Sequence, residues 1–245
     1  MRRMTELQAR LHRGRERDRY IYGGLAALFA LLVFAGFSRT YYLKFLFLTP
    51  PLPSLVVHAH GVVMTAWVML FIVQVFLISN RQVRLHQRLG YAGIGLAALM
   101  IVVGTWTALA AARHGSRSTP PGFSQPTFSI VPLGDLLIFA MLFSAAVYYR
   151  RTASRHKSLM ALTAINFLPP AIGRLPTGAN PLVFVGVTIG LALACLGYDT
   201  WRRRRVDGVI LAAVLIFAAS FPIRIYLVDT PGWARIAAWL ATLVA

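Results

Sequence analysis

The chain has 245 residues, 58% hydrophobic and only 13% charged, with 25 Lys and Arg against 7 Asp and Glu for a formal charge of +18. Charged residues make up about a quarter of an ordinary soluble domain, so the composition excludes one. The cations sit in short turns between apolar runs and form no basic stripe on a soluble module, which excludes nucleic acid as a partner and points to anionic lipid headgroups.

Residues 1–19 read as a basic cytoplasmic tail with seven Arg. Met4, Leu7 and Leu11 recur at loosely helical spacing within Met4–Arg19, the pattern of an interfacial helix against the inner leaflet. No small-x-small site follows the first apolar run, so that run is expected to be a retained anchor rather than a cleaved signal. Seven apolar stretches then follow, at Tyr20–Ser38, Leu55–Ser79, Leu89–Arg113, Pro132–Tyr149, Leu159–Leu175, Pro181–Tyr198 and Gly208–Val228. Each is about long enough for a helix to cross roughly 30 Å of hydrocarbon. The expected fold is therefore an all-α polytopic bundle of seven transmembrane helices spanning 20–228, with an apolar tail over 229–245. Gly232–Ala245 is short for a crossing and suits a surface helix on the outer face.

Basic residues divide unevenly between the two sides. The tail and the turns Asn80–Arg88, Arg150–Lys157 and Trp201–Asp207 together hold 18 of the 25. Positive-inside bias then puts the N-terminus in the cytoplasm and, after seven crossings, the C-terminus outside. The two long links, Arg39–Ser54 with Tyr41, Tyr42 and Phe45, and the Pro- and Ser-rich His114–Ser129, fall outside, where such aromatics form an interfacial belt.

Two inner turns echo each other. Arg81-x4-His86-x2-Leu89 matches Arg151-x4-His156-x2-Leu159 at an offset of 70 residues, while the third has Arg202-x4-Asp207, with an acid in place of His. The echo implies a parallel repeat of helix pairs 2–3 and 4–5. Gly186-x3-Gly190-x3-Ala194 in the sixth stretch and Gly93-x3-Ala97 in the third are small-residue spacings that let helices approach closely. Cys195 is the only cysteine, so an intrachain disulfide is excluded.

Several polar residues inside the spans are candidates for chemistry. His60, Trp67 and Gln74 recur every seven residues with Met64 and Phe71 on the same stripe, which must face the bundle interior. His58 lies about 200° round the helix from His60 and cannot share a metal with it. Asp135 is the one acid deep in a predicted span. Its plain structural role is to meet the helix dipole just after Pro132. Its functional alternative is an outer-half ligand pocket shared with His60, Asn166, Arg174 and Arg224, beside the helix break that Pro169 and Pro170 impose. Arg174 is the expected partner of Asp135.

His86 and His156 occupy matching inner positions on different helices, an arrangement that can ligate a b-type haem axially with nearby Arg on the propionates. The plain alternative is interfacial His among lipid-binding Arg. His12 and His114 fall in exposed segments. No Glu-x-x-His pair, Gly-x-Ser-x-Gly elbow or phosphate loop is present, so no catalytic signature is read.

His58-Ala59-His60-Gly61, Trp67, Gln74, Leu85-His86-Gln87-Arg88-Leu89-Gly90 and His156-Lys157-Ser158-Leu159-Met160 carry a resemblance. Over Leu55–Arg174 the chain resembles a group of uncharacterised bacterial multipass membrane proteins with His-x-His-Gly, His-Arg-Arg-Leu-Gly and His-Lys-Arg-Leu-Met motifs. Gln87 and Ser158 stand where that group has Arg. The His-x-x-Leu-Gly helix entry is also similar to helix starts in b561-like and ferric-reductase-like haem proteins. The resemblance implies a bacterial inner-membrane protein and no particular activity. The expected function is that of a bundle without catalytic signature, an accessory or assembly subunit of a larger complex, a homo-oligomer, or a binder of a small amphipathic or anionic ligand. A b-type haem electron-transfer protein and a small transporter are the alternatives.

Overall fold

The computed structural model describes residues 2–116, 119, 122–176 and 180–244. Met1, Ala245 and the link residues 117–118 and 120–121 lie outside the described residues, as do the side chains of the Met4, Leu7, Leu11 stripe. Among the described residues every element is helical and no strand occurs. The helices are α1 (Arg2–Phe37), α2 (Leu55–Ser79), α3 (Val83–His114), α4 (Gln125–Phe128), α5 (Ile130–Tyr148), α6 (Ala153–Asn166), α7 (Pro169–Ile172), α8 (Pro181–Arg203), α9 (Gly208–Val228) and α10 (Pro231–Ala241). Six segments are long and apolar enough to cross a membrane: Glu16–Tyr42, Leu55–Ser79, Val83–His114, Gln125–Arg151, Leu182–Arg203 and Gly208–Val228. The chain is a helical multipass membrane protein.

The predicted fifth span, Leu159–Leu175, is not one continuous helix. It begins earlier, as α6, and stops at Asn166 because Pro169 and Pro170 have no N–H to return to the carbonyls one turn back. The last turn tightens instead, with Phe167 and Leu168 donating to Ala164 and Ile165 three residues earlier, at 3.2 and 3.1 Å. Short α7 follows at once. From Ser158 to Pro169 every side chain but Met160 is buried, because α6 is enclosed by α1, α5, α8 and α9. This broken segment runs beside α1 and in the same direction. At one end the hydroxyls of Tyr22 and Ser158 meet at 3.2 Å. At the other, Gly36 lies so close to Ala171 that a Cβ on it would sit 2.2 Å from the Ala171 carbonyl oxygen. Only glycine at 36 lets α1 pass the proline break.

The basic turns gather at one end of the bundle. Asp18 of α1 meets Lys157 and Arg202, Arg155 meets Asp207, and the His86 and His156 rings adjoin. The opposite end holds Asp135 with Arg224, Trp233 donating to the Thr127 carbonyl at 2.7 Å, and Arg113 donating to Val244 at 2.6 Å. The last two bonds seat α10 across the ends of α3 and α4. At 11 residues α10 is too short to cross.

The small-residue spacings divide. A Cβ on Gly93 would touch Leu70 at 3.3 Å and Ala97 is buried, so this pair does serve the α2–α3 contact. A Cβ on Gly186 or Gly190 would meet no other described residue within 4 Å, and both face outward with Ala194. The close helix approach expected of this stripe is not made by the described residues, and α8 meets its neighbours through Thr188, Ala192 and Asp199.

Candidate functional site

The two repeated histidines come together. His86 in the first turn of α3 and His156 in the first turn of α6 have ring centroids 6.2 Å apart and planes at 81°. Their turns follow α2 and α5, and each ring reaches back to the preceding helix. His156 Nδ1 lies 2.8 Å from the Ala146 carbonyl oxygen, so Nδ1 carries the proton and Nε2 is the nitrogen left to offer. His86 faces the backbone of Gln74, and its Nδ1 is buried without a hydrogen-bond partner among the described residues. Both rings are partly shielded. A carbonyl holding one ring nitrogen so that the other is presented is how ligating imidazoles are oriented.

Beside this pair lies an ionic lattice that sequence reading missed. Asp207 caps α9 by accepting from the Val209 N–H at 3.0 Å, and accepts from Arg155 Nε at 3.0 Å and Arg203 Nη1 at 2.9 Å. Arg203 also reaches Asp199, one turn back, at 2.9 Å, and donates to Ser154. Asp18 binds Lys157, Arg202 at 3.1 Å and the Tyr198 hydroxyl at 2.8 Å. The spacing Asp199, Arg203, Asp207 at i, i+4, i+8 was the available signal. The Arg155 and Asp18 contacts, 52 and 139 residues away from their partners, had none.

Burial would raise the Asp207 pKa, but hydrogen bonds from Arg155 and Val209 and the charges of Arg155 and Arg203 outweigh it and hold the carboxyl below its usual range. A depressed folded pKa stabilises the fold above the unfolded value of about 3.9 and stops doing so as pH falls through the folded value. Thermal stability of the detergent-solubilised protein is therefore expected to fall below about pH 4. Asp207→Asn, which keeps the cap, should flatten that acid limb. An acid limb of unchanged steepness in the variant would refute the assignment.

At the opposite end, the cluster is only partly the predicted one. Asp135 pairs with Arg224, not with the expected Arg174. Arg224 also donates through Nη1 to the Val131 carbonyl at 2.9 Å and through Nε to the Ser220 carbonyl at 3.0 Å. Its stem crosses α5 where residue 134 is glycine. A Cβ there would sit 2.3 Å from Arg224 Cδ. Asn166 joins by donating Nδ2 to the Asp135 carbonyl at 2.9 Å, while its Oδ1 is buried without a partner among the described residues. Arg174 instead donates to the Pro170 carbonyl, lies 4.5 Å from the Phe37 ring centre, and is felt electrostatically at His60. Asp135, Asn166 and Arg224 thus form one group and His60 and Arg174 a second, rather than a single lined pocket. The reason is the break after Asn166, which turns Arg174 toward α1.

Trp67 anchors the α2 stripe. It is 2% exposed and meets Phe139 and Phe143 edge-on with centroids at 5.1 and 5.5 Å. Its Nε1 and the Gln74 Oε1 are both buried without partners. Among the described residues no group of three or more His, Cys, Asp or Glu is arranged to hold a metal. No protein-family model, curated protein or solved structure matches this chain.

Proposed function

We propose that the chain is an integral protein of a bacterial inner membrane that crosses seven times with its N-terminus in the cytoplasm. We also propose that it works through a group held by His86 and His156, a b-type haem iron, as an electron-transfer protein. The seventh crossing is the α6–α7 segment. Its support is the parallel run beside α1 between Tyr22–Ser158 and Gly36–Ala171. The orientation rests on the 18 basic residues of the tail and three turns, whose ion pairs cluster at one end. Reporter fusions after Asn80, Arg151 and Arg204 are expected to report cytoplasm, and fusions at Gly122–Gln125 the outside. A periplasmic signal at Arg204 would overturn the last three crossings.

One observation carries the haem reading, the 6.2 Å between the two ring centroids. Metal–imidazole nitrogen bonds are about 2 Å, so two rings sharing one ion stand about 6 Å apart. The donor set is chemically suitable, since imidazole serves iron well. His156 is oriented by Ala146 and His86 keeps a buried nitrogen unpaired. Exposed Arg84, Arg88 and Arg151 flank the pair in sequence and suit propionate carboxylates. When bound, the group supplies one-electron chemistry, and the chain's residues hold and orient it. Protein purified from haem-replete cells is expected to show a Soret band that shifts on reduction.

A second reading, a ligand-binding or accessory bundle without haem, is favoured by Asn166 Oδ1 and Trp67 Nε1. Buried polar atoms are normally paired, and a small polar ligand would pair these. A colourless preparation would support this reading over the first.

A further inference from the structure

We infer that the groove between α5 and α9 is a site for an anionic phospholipid, with one acyl chain along the groove and the phosphate on Arg155. This goes beyond the haem reading and does not depend on it. The groove holds about 350 Å³ and its walls are almost wholly apolar. Leu159 of α6 forms its floor, Ile138 and Ala145 one wall, and Gly208, Ala212 and Ile216 the other. The α9 wall is low because Gly208 and Ala212 lie one turn apart. From Gly208 to Ile216 it runs about 12 Å at 1.5 Å per residue, a length within one leaflet. Ala212 and Ile216 face outward, so the groove opens to lipid.

Charge complementarity identifies the occupant. One turn beyond Ala145 is Tyr149, and the Arg155 guanidinium carbon stands 4.9 Å from its ring centre. One residue before Gly208 is Asp207, which Arg155 meets through Nε alone. The guanidinium therefore spans from the end of α5 to the start of α9, across the inner mouth of the groove. It is 32% exposed, and its two terminal nitrogens form no hydrogen bond among the described residues. Those are the donors that suit a phosphate. Arg151, Arg204 and Arg205, close in sequence to Tyr149 and Asp207, are exposed and outside the ion pairs that Arg155 and Arg203 make. The surroundings thus carry net positive charge beside an apolar trough, the two halves of an anionic lipid's chemistry.

Thermal unfolding of the detergent-purified protein tests this by titration with phosphatidylglycerol, with phosphatidylcholine of the same chains, and with glycerol phosphate. Phosphatidylglycerol is expected to stabilise at about five-fold lower concentration than phosphatidylcholine, and glycerol phosphate not at all. Arg155→Lys, whose single ammonium is taken up by Asp207, should abolish the difference between the lipids. Ala212→Phe, which fills the trough, should weaken both. Arg205→Gln should keep the difference. Equal titration by the two lipids, selectivity surviving in Arg155→Lys, or stabilisation by glycerol phosphate alone would overturn the site. So would Ala212→Phe changing the oligomeric mass while lipid affinity stays constant, since a second copy would then cover the groove. If Arg155→Lys does not fold, the headgroup comparison on the native chain and Ala212→Phe still decide.

Discussion

If His86 and His156 hold a b-type haem, as proposed, His156→Ala is expected to abolish the Soret band of the purified protein, and His86→Ala to do the same. The two imidazoles come from different helices, α3 and α6; His156 is held by the Ala146 carbonyl and His86 faces the Gln74 backbone. The haem would be held by both imidazoles, so removing either would take away one of its two protein nitrogen donors, which water at a turn-level site would not replace with equal strength. His60→Ala and His114→Ala serve as controls, since both lie toward the opposite end of the bundle and should leave the band in place. A band lost with His60→Ala but kept in His156→Ala would move the site and refute the inner pair. Fold is monitored separately by the thermal transition, which the His156 change should lower only modestly because that ring makes one hydrogen bond to a carbonyl.

Arg224→Leu is expected to destabilise the bundle by roughly 3–5 kcal/mol, because it strands Asp135 as an unpaired charge in a site closed to water. The side chains are only 7% and 14% exposed, and the same guanidinium satisfies the Val131 and Ser220 carbonyls. Asp135→Leu combined with Arg224→Leu should recover much of the loss, since a buried pair replaced whole by apolar residues is often near neutral. Arg174→Leu should leave the Asp135 site untouched. Unfolding in detergent or a graded denaturant measures all four proteins. If Arg174→Leu proves costlier than Arg224→Leu, or the double change is no better than the single, the Asp135–Arg224 pair is not the one that holds this end of the bundle together. Gly134→Ala offers an independent check, because the added methyl would push the Arg224 stem off α5.

Six of the seven expected spans, their rough boundaries and the gathering of basic turns at one end were legible because they depend on local quantities. A run of apolar residues sets span length, and Arg-rich turns resist burial wherever their neighbours lie. The interior stripe of α2 was legible for the same reason. His60, Trp67 and Gln74 recur at a period that one helix face must honour, and Trp67 is indeed sealed inside. The double proline announced a break, but the sequence alone placed that break inside a continuous span rather than at the end of one. Asn166 is the last residue of α6 because both missing N–H groups fall in the turn that follows it.

Partner choice was decided only by the tertiary structure. Arg174 and Arg224 look alike in sequence, each near an outer helix end, and Asp135 gives no hint which it will meet. The proline break swings Arg174 toward Phe37 of α1, while Gly134 opens a path across α5 for Arg224. The Gly186–Gly190–Ala194 stripe has the same ambiguity. Small residues permit close approach from any neighbour, and only the bundle's closure shows that none of the described helices takes that face. The His86–His156 contact stands between these cases. The repeat put both residues at the same depth, which hydropathy can measure, but whether α3 and α6 lie side by side is a matter of how the helices pack in the plane. That arrangement depends on side-chain fit between helices distant in sequence, to which no run of neighbouring residues is sensitive.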